Sequence, residues 1–188
     1  MHTPSALLAA VALAIAAPVS AAAQSTADLP ARKPGHWEVR VVTEKPAGGP
    51  TLDTQICIDA ATDRELMEFA LQLSKDACPK LDMKRAGVGL TIDFQCKVGP
   101  VSTNARATMS GDFQSTYTIR VEGTSDGVPL PGTPKGPQDM LIVQTGRWTA
   151  ATCPAGMKPG DFTLPGGMKF NIKQAKQFQK MLPNIQIR

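Results

Sequence analysis

Residues 88–98 read VGLTIDFQCKV, and every second one, Val88, Leu90, Ile92, Phe94, Cys96 and Val98, is apolar. The residues between them are Gly89, Thr91, Asp93, Gln95 and Lys97. Period-two alternation puts one set on each face of a pleated strand, so this stretch predicts a strand buried on one side and wet on the other. Such strands belong to antiparallel sheets, because parallel strands are covered on both faces.

The pattern extends in both directions. Gly99-Pro100 predicts a turn into a strand at 101–110, and Gly111-Asp112 a turn into a strand at 113–122, where Phe113, Tyr117, Ile119 and Val121 share a face. Upstream, Trp37, Val39 and Val41 alternate with Glu38 and Arg40, a Pro-Ala-Gly-Gly-Pro turn follows at 46–50, and a second strand runs over about 51–58. A last strand, about 138–150, carries Trp148. Between the strands lies one helix, expected over about 62–75. Thr62 and Glu65 have capping-box spacing, Leu66, Phe69, Ala70 and Leu73 make one apolar face, and Pro79 stops the run. Residues 123–137, with four glycines and four prolines, predict a long irregular loop that is either a lid or slack.

The amino terminus predicts export. Residues 6–17, ALLAAVALAIAA, are too short an apolar run to span a bilayer, and Ala21-Ala22-Ala23 supplies small residues for cleavage. Residues 1–23 are therefore read as a signal peptide, and 24–35 as an extended leader to a single domain at 36–153. The expected location is a bacterial periplasm, with no lipid anchor and no later membrane span. An even number of cysteines after such a signal implies disulfides, in one of three connectivities. A hairpin turning at Gly87 places residue i opposite 174 − i, which brings Cys78 to Cys96. A Cys57–Cys78 bridge has to span the helix, about 20 Å long, whereas bridged Cα atoms approach within about 7 Å. The expectation is Cys78–Cys96 with Cys57–Cys153. No Cys-x-x-Cys is present and His36 is the only histidine after residue 23, so no metal site and no cofactor are expected.

Residues 154–188 hold six basic residues and one acid, whereas 24–153 hold fourteen basic and fifteen acidic residues. The positive charge thus belongs to the tail. Lys169, Lys173, Lys176 and Lys180 are spaced 4, 3 and 4 apart along a helix expected over 171–182, with Ile172, Ala175, Phe178 and Leu182 on its other side. The stripe reads first as the solvated face of a docked helix, and second as a surface for an anionic envelope partner.

Arg32-Lys33-Pro34-Gly35-His36-Trp37-Glu38-Val39, the cysteine order and a closing Gly146-Arg147-Trp148…Cys153 resemble a family of small exported bacterial proteins labelled domain of unknown function 3617. Members open with Lys-Pro-Gly-x-Trp-Glu and close with Gly-Arg…Cys. The resemblance implies export and paired cysteines and brings no activity or ligand. Two departures stand out: His36 replaces a customary apolar residue, and the chain continues past the last family cysteine.

Catalytic residues are not expected. A lone histidine without Gly-x-Ser-x-Gly does not make a hydrolase triad, and His36 reads as a surface residue at a strand entrance. Gly87-Val88-Gly89 lacks the rest of a dinucleotide loop. One tyrosine and little aromatic interleaving argue against nucleic acid. The seven methionines after the signal are scattered and read as core filler. The expected fold is mainly β (α+β), a curved antiparallel sheet or incomplete barrel packed on one helix, with Trp37, Phe94, Tyr117 and Trp148 in the core and a basic C-terminal helical tail. Three functions follow. First is a monomeric, non-catalytic binding protein for an apolar or amphiphilic small molecule. Second is an envelope interaction module using the basic helix. Third is a carboxylate-dependent enzyme, for which the sequence offers no arrangement.

Overall fold

The computed structural model describes residues 29–127, 135–164 and 166–181. Residues 1–28, expected to hold a signal peptide and the first part of a leader, and residues 128–134 of the expected loop lie outside the described residues. The strands are β1 (Gly35–Lys45), β2 (Thr51–Ile58), β3 (Lys80–Ala86), β4 (Gly89–Val98), β5 (Val101–Gly111), β6 (Thr116–Asp126), β7 (Gln138–Ala150), β8 (Asp161–Thr163) and β9 (Lys169–Asn171). Helix α1 (Ala60–Ala77) connects β2 to β3, and α2 (Ile172–Met181) follows β9.

These strands form one open, antiparallel sheet in the order β3-β4-β5-β6-β7-β1-β2-β8-β9. The alternation read from the sequence becomes rows of side chains across it. On the inner face Met83, Ile92, Ala107, Val121 and Ile142 stand in register, and a neighbouring row runs Leu90, Met109, Ile119, Gln144, Val41, Leu52. The sheet curves strongly. One cavity of about 550 Å³ is lined from eight of the nine strands, which at about 4.8 Å spacing span roughly 34 Å if flat. β2 and β3, the first and last strands of the seven-stranded part, are the strands that α1 joins, so α1 crosses the gap that keeps the barrel open.

The core gathers at one end of this half-barrel, where Trp37, Val39, Ile58, Phe113 and Tyr117 are buried and Trp148 packs on them. Tyr117 stacks on Phe113 with centroids 5.7 Å apart and meets Trp37 at 5.4 Å. Gly146 lies opposite Tyr117, and a Cβ there would fall inside the tyrosine ring, which explains the glycine. Phe94 is not in this cluster. It is half-buried opposite Ala105, whose other neighbour Gly123 is six residues along β6 from Tyr117, about 20 Å away.

Several expectations need correction. The β3–β4 hairpin pairs Ala86 with Gly89, so residue i faces 175 − i, because a two-residue turn centres between Gly87 and Val88. Val88 thereby leaves the strand and is 74% exposed. β6 begins at Thr116, not at Phe113. Phe113 sits in the turn with φ 56°, held there by Asp112, whose carboxylate accepts from the Gln114, Ser115 and Thr116 amides and the Ser115 hydroxyl. Residues 123–126 continue β6 and do not loop. The capping box is Asp59 with Thr62, one turn earlier than Thr62 with Glu65: Asp59 accepts from the Thr62 amide at 2.7 Å, and its own amide donates to the Thr62 hydroxyl at 2.9 Å.

The stretch after residue 28 is a fastening. Lys33 N donates to Phe113 O at 2.9 Å, Lys33 O accepts from Trp37 Nε1, and Pro34 O accepts from Trp148 Nε1. Nor does the sheet end at Cys153: β8 joins β2 through Ile56 and Phe162, and β9 joins β8.

Candidate functional site

The 550 Å³ cavity lies between α1 and the inner face of the sheet. Leu66, Met67, Ala70, Leu71 and Ser74 line it from the helix, a face one position round from the predicted Leu66, Phe69, Ala70, Leu73. The anchors at the two helix ends set that rotation. Asp63 is held by Arg32 near the amino end, and Cys78 is bridged to Cys96 at the carboxyl end. Residues 63, 67, 70, 74 and 78 fall at helical spacings of three and four, so fixing the first and last turns the intervening face toward the sheet.

Within α1 only Thr62 and Asp63 are fully buried, and Leu73 is 39% exposed. Of the residues facing the cavity, Leu66 packs on the core cluster, whereas Met67 and Leu71 are half-buried and Ala70 is exposed, so this face is only partly packed on the sheet. Across the gap stand Met83, Ile92, Met109 and Ile119, with Val41 and Phe162 farther round. The methionines scattered in sequence are thus partly assembled in space, with Met67, Met83 and Met109 on one cavity. Unbranched thioethers adapt to ligands of different shape. Leu52 and Leu164 line the cavity and are also 39% and 36% exposed, which puts its mouth between β2 and the β8–β9 hairpin.

Few polar groups reach this surface. Tyr117 Oη accepts from Gln144 Nε2 at 3.2 Å. Arg32 lies 5.9 Å from the Tyr117 ring centre and donates from Nε to Asp63 Oδ1 at 2.8 Å, and its amide donates to Oδ2 at 3.0 Å. No carboxylate lines the cavity among the described residues. Apolar walls with a few fixed polar groups make a surface that sequesters a hydrocarbon and orients one polar end.

The opposite face of the sheet is chemically different. A larger, open depression of about 910 Å³ is flanked by the pairs Arg147–Glu38 at 2.6 Å and Arg40–Asp53 at 3.2 Å, with Thr116, Thr118 and Thr145 alongside. Near β4, Arg106 donates to Asp93 at 2.6 Å, which lowers the Asp93 pKa and raises that of Arg106. The same logic holds Asp112 well below the ordinary carboxylate range, through the Ser115 hydroxyl first and then the three amides. These are structural ion pairs and turns, with each acid on a donor.

His36 is buried, not on the surface. Nδ1 lies 2.7 Å from the Thr149 hydroxyl, which also stands 3.2 Å from His36 O, and Nε2 has no hydrogen-bond partner. Its ladder neighbours are Cys57 and Ala150. Cys57 is at disulfide distance from Cys153, and Cys78 from Cys96. Among the described residues no three potential metal ligands come together, and no helix is long and apolar enough to cross a membrane.

The lysines do not form one helical stripe. Lys169 is in β9 and its amine bonds Gly156 O, Lys176 pairs with Glu65 at 3.7 Å, and Lys173 is exposed. The side chain of Lys180 and all of Leu182 lie outside the described residues. Phe178, expected to dock, is 54% exposed, whereas Ile172 is fully buried. Lys158, which the sequence reading passed over, shares a cleft of about 530 Å³ with Lys169 and Lys173. The Arg32–Asp63 pair also escaped notice, since nothing local links residues 31 apart.

Neither the curated proteins nor the solved structures compared with the chain contain a match. A family model does match, over residues 32–153, from the arginine that fastens α1 to the cysteine that closes on Cys57. The chain therefore belongs to the family described as protein of unknown function (DUF3617).

Proposed function

We propose that this protein is an exported, non-catalytic binding protein whose cavity takes the hydrocarbon part of a small amphiphile. The observation that supports the reading is the apolar cavity of about 550 Å³ between α1 and the inner sheet, along which Met67, Ala70 and Leu71 are left incompletely buried. Leaving such surface unpacked costs about 25 cal/mol for each Å². A helix anchored at both ends over an apolar gap makes sense if a ligand covers that surface.

The volume sets the size of the guest. A cavity of about 550 Å³ lies within the range of about 300–1,000 Å³ that holds a small ligand, such as one with a single hydrocarbon chain. Tyr117, Gln144 and Arg32 supply the polar contacts. Two cysteine pairs at disulfide distance fit an oxidising compartment such as the periplasm. The apolar run at residues 6–17 supports delivery there.

Native mass spectrometry of the mature protein after periplasmic expression tests the reading. The expected result is an added mass in the range of a single-chain lipid. Ala70→Trp, at an exposed helix position that lines the cavity, is expected to remove the added mass and leave the fold intact. A bare polypeptide that also fails to take up added fatty acid would refute the proposal.

A further inference from the structure

We infer that the β8–β9 hairpin and α2 form a docking face for an anionic lipid surface, beside the mouth of the cavity. The inference builds on the binding reading but rests on different residues. Three exposed large apolar side chains fall in this short segment: Leu164 at 36%, Met168 at 59% and Phe178 at 54%. Gly166 and Gly167 lie at the hairpin tip, where a Cβ at either would meet nothing within 4 Å, and they border the open depression beside Arg40 and Asp53.

The charge of this segment is mainly positive, although Lys176 of α2 pairs with Glu65 and the buried Asp161 also lines the lysine cleft. Lys158, Lys169 and Lys173 line a single cleft of about 530 Å³ with Gln174 and Gln177. The one acid in residues 154–188 is Asp161, and it is buried. Its oxygens accept from Lys158 N at 3.0 Å and Asn171 Nδ2 at 2.7 Å, so its charge is spent on holding the segment together. On α2, Phe178 follows directly after the cleft residue Gln177, about 100° round the helix, so the lysine cleft and the apolar ring present neighbouring surfaces.

Exposed apolar side chains on the hairpin and α2, bordered by lysines, match the boundary between lipid headgroups and acyl chains. A protein partner of ordinary stability needs about 800 Å² of complementary surface, which a hairpin of two three-residue strands and one short helix poorly supply. Leu164 joins the two sites, since it lines the cavity and is exposed on the docking face. A single-chain lipid leaving a membrane here would pass from the bilayer into the cavity without crossing water.

The test is co-sedimentation of the mature chain with vesicles of phosphatidylglycerol and phosphatidylcholine, against phosphatidylcholine alone, at low and high salt. Binding is expected on the anionic vesicles, at least tenfold above the neutral ones and weakened by salt. Lys158→Gln with Lys173→Gln is expected to lower partitioning about 25-fold, fivefold for each charge. Met168→Ser with Phe178→Ser is expected to lower it about tenfold on vesicles of the same charge. Both pairs are exposed, and circular dichroism checks that they fold. Equal binding to both vesicle types, no binding to either, or binding that both variants leave unchanged overturns the inference. So does a dimer abolished by Phe178→Ser, which would make a second copy the occupant. Ala70→Trp separates the two proposals: it should empty the cavity and keep vesicle binding, and vesicle binding can fail while the cavity still loads.

Discussion

Arg32 and Asp63 show how much the surroundings of a charge decide its worth. Their side chains are 10% and 5% exposed, and Asp63 receives both the guanidinium and the Arg32 amide. Arg40 and Asp53 make a similar contact at 58% and 69% exposure. Removing one partner of a buried pair strands the other charge out of water, so Asp63→Ala is expected to cost about 3–5 kcal/mol. Asp53→Ala is expected to cost about 1 kcal/mol or less, because water already solvates that pair. Urea unfolding of the two variants checks the contrast, and equal midpoints would remove Arg32–Asp63 from its role as the fastening of α1. His36 belongs with this comparison. It occupies a place where the family resemblance leads one to expect an apolar residue, and burial with Nε2 unpartnered agrees with an apolar environment. The sequence contained the His36 substitution but not its burial, because a strand entrance is exposed or covered according to what lies across the sheet.

α1 behaves as a tethered beam more than as a packed element. Its eighteen residues run about 27 Å, with Asp59 capping one end and Cys78 bridged to β4 at the other. The sequence located the helix and its stop at Pro79, since periodicity and proline are local signals. It did not give the face, because rotation about the helix axis is set by Asp63 and Cys78, whose partners are distant in the chain. Of Leu66, Phe69, Ala70 and Leu73, read as one buried face, Leu66 packs on the core, whereas Ala70 and Leu73 are exposed and Phe69 and Leu73 lie off the cavity. Replacing Cys78 and Cys96 together by serine opens a loop closed over a separation of 18 residues. The expected cost is about 3 kcal/mol. Helix amides from residues 70–77 should lose hydrogen-exchange protection before the sheet does, and uptake of added fatty acid should weaken. Unchanged protection in those amides would mean that packing, and not the bridge, positions the carboxyl end.

The family model ends at Cys153, yet the fold does not. Alternation at 88–98 made the antiparallel sheet legible, and cysteine order with hairpin geometry made the pairing legible. The closing strands were not: β8 and β9 have three residues each, too short for any periodicity to register. Their contribution is nonetheless structural. Gly160 N donates to Cys57 O at 2.8 Å, Ile172 N donates to Gly160 O at 2.9 Å, and Gln55 N donates to Thr163 Oγ1 at 2.8 Å, so this segment covers one side of β2. Ile172 is fully buried although it lies nineteen residues past the last cysteine. A chain ending at Pro154 would keep every cysteine and the whole family match. It would also expose the edge of β2 at Ile56 and remove Phe162 from the wall of the cavity. Truncating one buried isoleucine commonly costs about 2–5 kcal/mol, and this deletion removes Ile172 together with the hydrogen bonds around it. Against a total stability of about 5–15 kcal/mol, that loss takes most of the margin. The shortened chain is therefore expected to melt without a cooperative transition, or at a midpoint lowered by at least ten degrees, when calorimetry is run beside the mature protein. The milder Ile172→Ala should lower the midpoint and keep the transition. If the shortened chain melts like the mature one, residues 154–188 are an appendage, and the cavity has to be understood without its β8 wall.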